Sequence, residues 1–197
     1  MTAYSELTVR QQRIVDALRP FFGAEADALF EAHGRSLQKL TYFARQSPLP
    51  SFHRLVTGLT LAQELLVEEL TKRSVFDSPQ AVKDFLTLHF AGQPHESFAV
   101  LYLDAQHALI AFEELFRGTL TQTSVYPREV MKRALAHDAS SIVMAHNHPS
   151  GSVDPSCADE LLTSTLRSAM AMMDVRLVDH IIVAGGRTLS FAEKGLL

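Results

Sequence analysis

His146 and His148 stand on either side of Asn147, directly after the apolar run Ser141-Ile142-Val143-Met144. That run reads as a buried strand. On an extended chain, residues two apart leave the same face, so both imidazoles can reach one ion. Pro149, Gly151 and Pro155 then break regular structure and mark a loop. Asp159 follows His148 by eleven positions, where an amphipathic helical pattern begins. Two nitrogens from a strand end and one carboxylate oxygen from the next helix make a catalytic zinc set, with the fourth tetrahedral position left to water.

Blander readings compete for the same residues. Ser156-Cys157-Ala158-Asp159 also fits a capping box, with Ser156 as N-cap and Asp159 at the third helical position. Cys157 is a poorer third ligand than Asp159, because the helix start turns it away. His180, before Ile181-Ile182-Val183, reads first as a core histidine and second as a group behind the ligands. His33, His53, His89, His95, His107 and His137 lack ligand spacing and read as surface or capping residues.

The elements that must position these groups follow from the wider pattern. A length of 197 residues suits one domain, or one domain with a small appendage. Hydrophobic content of 47% with 20% charged residues is that of a packed globular chain. A net charge of -4 gives no electrostatic reason for general nucleic-acid binding. One cysteine cannot form an internal disulfide, which fits a reducing compartment. MTAYSELTVR lacks the basic-then-apolar order of a signal peptide, and no apolar run reaches the roughly 18 residues of a membrane span. The expectation is a cytoplasmic chain with no membrane partner.

Residues 1–74 read as a helical segment. Leu7, Ile14, Val15 and Leu18 recur at helical spacing up to Pro20, Ala24 to His33 form a second helix ended by Gly34, and Ser36 caps a third. Ser47 to Ser51 read as a break. Leu59 to Arg73 form an amphipathic helix with Leu61, Leu65, Leu66 and Leu70 on one face. Residues 75–197 read as a second, mixed part. A helix capped by Ser78 runs from Pro79 to about Phe90. Strands follow at Ser97–Leu103, Ala108–Leu115 and Gly118–Val125, then a helix from Pro127, a strand at Ser141–Ala145, a helix over Ser156–Met173, and strands at Arg176–Val183 and Thr188–Phe191. This order predicts an α+β fold, helices covering a curved sheet.

His146-x-His148 with Asp159, in the form HNHPSG followed by PS-x-x-D, resembles the JAMM/MPN+ metalloprotease signature and the RadC family of JAB-domain proteins in particular. LYLDAQHALI, FRGTLTQTSVYPREVMKRAL, VRLVDHIIV and SFAEKGLL carry the resemblance over about residues 75 to 197. It implies a JAB/MPN-like, cytidine-deaminase-like mixed β-sheet flanked by helices. It implies a zinc hydrolase of peptide or isopeptide bonds, with Glu96 ahead of the first strand as general base and Ser156 as donor to the developing oxyanion. Glu113 and Glu114 compete with Glu96 but sit in a hairpin, where surface charges are usual. The resemblance further implies a helix-hairpin-helix-like region in the helical segment. Around Phe52 to Leu59, however, only Gly58 is present, and basic residues are few. Two alternatives stand beside the hydrolase: a nucleic-acid-associated factor with a structural zinc, and a non-catalytic MPN scaffold.

Overall fold

The protein is described from a computed structural model over residues 7–118 and 125–197. The chain divides into two compact units, Met1–Leu61 and Ala62–Leu197. In the first, α1 (Val9–Phe22) starts at a capping box between Thr8 and Gln11. A 3-10 turn at Gly23–Glu25 leads into α2 (Ala26–Ala32), and Ser36 caps α3 (Leu37–Gln46) as its position suggested. Val15, Leu18, Phe22, Phe30, Leu40 and Phe52 form its core. Pro20, expected to end the first helix, lies inside α1. Leu18 and Phe22 on either side of it are buried, and their packing outweighs the N–H that proline lacks.

The next helix, α4 (Pro50–Lys72), starts nine residues earlier than the expected Leu59. Phe52 to Leu59 therefore lie in continuous helix, and Gly58 is a helix-interior glycine. Leu61 and Leu65 are 62% and 68% exposed, whereas Leu70 is 1% exposed, so the apolar face is narrower than the leucine spacing suggested.

In the second unit, α5 (Pro79–His89) has Pro79 in its first turn. Ser78 does not cap it; its hydroxyl donates to Glu69 Oε1 at 2.7 Å. The sheet is built from β1 (Ser97–Leu103), β2 (Leu109–Arg117), β3 (Ser141–Asn147), β4 (Arg176–Ala184) and β5 (Arg187–Ser190), in the spatial order β2-β1-β3-β4-β5. Only β3 and β4 are parallel. A parallel pair needs a crossover, and it is supplied by α7 (Cys157–Ala171). α6 (Pro127–Ala136) precedes β3. Phe191, expected to finish the last strand, opens a short α8 (Phe191–Lys194). The strand expected over 118–125 lies, apart from its end residues, outside the described residues.

Alternation along the strands sorts side chains onto two faces. Ala99, Leu101, Leu103, Val143, Ala145 and Ile181 pack with Val82, Phe85 and Leu86 of α5. Phe98, Val100, Tyr102, Ile142 and Met144 pack with Val130 of α6 and with Leu166 and Met170 of α7. The chain is thus α+β, a mixed sheet flanked by helices. Among the described residues no helix is long and apolar enough to cross a membrane.

Leu101 is fully buried at the centre of β1. Truncation there removes methyl contacts and leaves a cavity, so Leu101→Ala is expected to cost about 2–5 kcal/mol. Urea unfolding monitored by circular dichroism measures this; a loss under 1 kcal/mol would contradict the packing.

Candidate metal centre

The alternation that puts Ile142 and Met144 against α7 carries His146 to the same face. α7 turns a stripe inward made of Asp159, Thr163, Leu166 and Met170, at helical spacing. Asp159 is the first member of that stripe, and the apolar contacts of Leu166 and Met170 further along hold it at the end of β3. His148 lies one residue past β3, yet its N–H donates to Val183 O at 2.8 Å, which prolongs the ladder and keeps its ring beside that of His146.

The three expected ligands converge. Nε2 of His146 lies 2.9 Å from Nε2 of His148 and 3.2 Å from Asp159 Oδ1, and His148 Nε2 is 3.7 Å from Asp159 Oδ2. Glu96, the residue before β1, joins them: the ligand atoms of Glu96, His146, His148 and Asp159 all lie within 4.8 Å of one another. Tetrahedral ligands about 2.0–2.2 Å from a metal stand roughly 3.3–3.6 Å apart, a spacing these three separations bracket.

Hydrogen bonds on the far side fix which nitrogen faces inward. His148 Nδ1 lies 2.8 Å from Ser152 O, which can only accept, so Nδ1 carries the proton and Nε2 the lone pair. For His146 the argument runs through two residues. The Thr163 hydroxyl donates to Asp159 O at 2.6 Å and therefore accepts from His180 Nδ1 at 2.7 Å. His180 Nε2 is then left to accept from His146 Nδ1 at 2.8 Å. That leaves His146 Nε2 with its lone pair aimed at the centre. Two lone pairs and a carboxylate at these distances repel unless a cation stands among them. The donor set fits a metal ion.

Protonation follows the same logic. The bond to Asp159 raises the His148 pKa above the ordinary imidazole value, so protons compete for the position a cation would take. Burial pushes the Asp159 carboxyl up, but bonds with His146 and His148 together hold it well below the usual carboxylate range. His180 is driven the other way: burial lowers it far below an ordinary histidine, which keeps it neutral as a relay.

The capping-box reading of Ser156 to Asp159 is compatible with the ligand reading. The capping box is present, with Asp159 Oδ2 accepting from the Ser156 N–H and hydroxyl, each at 2.7 Å. Oδ1 is left to face His146. Ser156 borders the same cavity, of about 540 Å³, as Glu96, Phe98, His146, His148 and Asp159. Cys157 is exposed at the first position of α7 and is not in the cluster. Glu113 and Glu114 are not there either; both are paired on β2, Glu113 half-buried and Glu114 exposed as expected of a surface charge. Arg133 and then His137 lower Glu113 to about 2, and Glu114 takes His89, Gln93 and Ser97 as partners. His180 is a core residue and also the group behind His146. Thr163 was missed; its only sequence signal is its place one turn after Asp159 on an inward stripe.

Replacing His180 with Phe keeps the buried volume but leaves His146 Nδ1 without its acceptor. His180→Phe is expected to weaken metal binding about 10–100-fold, measured by chelator competition; unchanged affinity would remove His180 from the site. Because protons and metal compete for His148, whose pKa is raised, affinity should already begin to fall above pH ~6.5 and keep falling with acidification, by up to about tenfold per unit for one proton. Zinc titrations between pH 8 and pH 5.5 would check it, and a flat profile would contradict the proton's place.

Residues 76–196 match the family described as the RadC-like JAB domain. A UPF0758 protein of Variovorax paradoxus (strain S110) is 61% identical over 143 residues, covering 73% of this chain and 64% of that one. One from Acidovorax sp. (strain JS42) is 63% identical over 143 residues, covering 73% of this chain and 60% of its own length. One from Paracidovorax citrulli (strain AAC00-1) is 52% identical over 188 residues, covering 92% of this chain and 74% of that one. The aligned part thus spans under two thirds of the first two relatives. With the mixed sheet and a convergent His-His-Asp-Glu cluster at the end of its central strands, these matches say that the chain belongs to the RadC-like JAB domain family.

Proposed function

We propose that the chain is a zinc-dependent hydrolase of peptide or isopeptide bonds, acting at His146, His148, Asp159 and Glu96. The observation that carries it is the convergence of those four side chains at the edge of an open cavity. Two imidazoles and one carboxylate are a zinc donor set that leaves a coordination position for chemistry. Zinc held there supplies a Lewis acid that polarises a carbonyl and lowers the pKa of water to about 7.

The chain's own groups do the rest. Glu96 takes a proton from the attacking water and passes it to the leaving nitrogen. Phe98, Val125 and Leu162 give the cavity an apolar wall, which limits competing water around the substrate. Ser156 has one hydroxyl proton, directed at Asp159 Oδ2. That oxygen keeps the Ser156 N–H when the hydroxyl turns toward a developing oxyanion, a donor worth about 10²–10³ in kcat where well placed. Among the described residues the cavity is lined by Glu96, Asp154 and Asp159 and by no lysine or arginine. Such a lining disfavours a phosphodiester backbone, whose binding rests on cationic contacts, and supports an amide substrate.

Glu96→Gln keeps the shape of the side chain but takes no proton at neutral pH. It is expected to retain zinc and lose hydrolysis about 10²–10⁴-fold, while Asp159→Asn loses zinc. A library of peptides and isopeptides, with metal analysis of each variant, makes the test. Full activity in Glu96→Gln would remove Glu96 from the reaction, and loss of zinc in that variant would make it a fourth ligand.

A further inference from the structure

Glu96 reaches the centre from a point where β1 is still paired with β2 but no longer with β3. Backbone pairing of β1 with β3 ends at Phe98 and His146, so Glu96 stands two residues beyond the last rung. Chain ends past the final ladder pair fray readily. Here a side chain replaces the missing rungs. Asn147, between the two histidines and 4% exposed, points away from them toward β1. Its Oδ1 accepts from Ser97 N at 2.7 Å and its Nδ2 donates to His95 O at 2.8 Å. These are the residues on either side of Glu96. Ser97 is fixed again by its hydroxyl, which donates to Glu114 Oε1 at 2.9 Å, and the Glu96 carbonyl accepts from Gly118 N at 2.8 Å.

We propose that Asn147 is a positioning residue that holds Glu96 against the metal centre, coupling the base to the tripeptide that carries both histidine ligands. This rests on the reading of Glu96 as acting beside the metal. The amide is suited to the task because it donates and accepts at once, as a backbone rung does. Alternation along an extended chain sends Asn147 to the opposite side from its neighbours, so it serves Glu96 without touching the ligand atoms. A misplacement of about 1 Å in a reacting group costs on the order of 10²-fold in rate.

The test uses the full chain loaded with cobalt(II), whose visible absorption reports the groups around the metal, in wild type, Glu96→Gln, Asn147→Ala, Asn147→Asp and the Asn147→Ala/Glu96→Gln double variant. All are expected to bind one cobalt per chain. Asn147→Ala should reproduce the spectral change of Glu96→Gln, and the double variant should match Glu96→Gln alone. Asn147→Asp keeps the acceptor for Ser97 and loses the donor to His95, so it should fall between, and it carries the test if the alanine variant does not fold. On a cleaved substrate, Asn147→Ala should lower kcat about 10²-fold with KM little changed, and cause no further loss in the Glu96→Gln background. A wild-type spectrum in Asn147→Ala, or loss of its cobalt, would overturn the proposal. An unchanged spectrum in Glu96→Gln would remove Glu96 from the centre and overturn this proposal with the proposed base. The expected spectra without any cleaved peptide would defeat the hydrolase reading alone.

Discussion

Two imidazole lone pairs and a carboxylate oxygen face one point at the end of β3, with 2.9 Å between the nitrogens. That repulsive arrangement is what the rest of the structure serves. It persists only because each ring is held from behind, His148 by Ser152 O and His146 by His180, and because Asp159 is fixed at the head of a buried helix. The parallel pairing of β3 with β4 is what makes α7 cross back over the sheet. The topology therefore brings a helix start to the strand end where the histidines are. It also brings His180 next to them, since β4 lies beside β3 with Met144 opposite His180.

The Asp159 carboxylate shows how one residue meets two demands. A helix start leaves N–H groups without partners, and a metal site needs an anionic oxygen. Asp159 divides the tasks between its oxygens, Oδ2 toward Ser156 and Oδ1 toward His146. The cap also orients the ligand: with Oδ2 fixed by two donors, Oδ1 has little freedom to turn away from the centre. Burial of the carboxylate is tolerable because Ser156 gives two donors to Oδ2 and a cation at the centre would meet Oδ1.

What could be read from the sequence was what is local. His-x-His on an extended run and the stretch from Ser156 to Asp159 declare their geometry within a few residues, and so do the caps at Ser36 and Gly34. The strands before and after the loop were legible because apolar runs bounded by turn residues have few alternatives. Groups that depend on distant pairing were not legible in this way. His180 becomes the partner of His146, and Thr163 the partner of His180, only once β4 is set beside β3. Glu96 was singled out through resemblance, because a lone glutamate before a strand has no spacing of its own. In the helical part, packing overrode local signals. Pro20 is carried inside α1 by Leu18 and Phe22, and α4 runs through the Ser47–Ser51 break from Pro50 onward. Leu61 and Leu65 match the helical period but find no core to enter.

The same geometry separates what holds the fold from what the centre does. The layers on the two sheet faces close through side chains such as Leu101, Phe85, Met144 and Leu166. Each layer is continuous along the strands, and the cluster lies at their edge. The bond with Asp159 favours the charged form of His148, the side chain through which a proton competes with a cation at the centre. A cation among the ligands would give the buried Asp159 charge a positive partner. Neither packed layer includes the four clustered side chains, so the core is not built through the metal position. A site whose metal carried the fold would collapse on losing it. Here the relay through His180 and Thr163 preserves the inward lone pair of His146 independently of what sits in the centre.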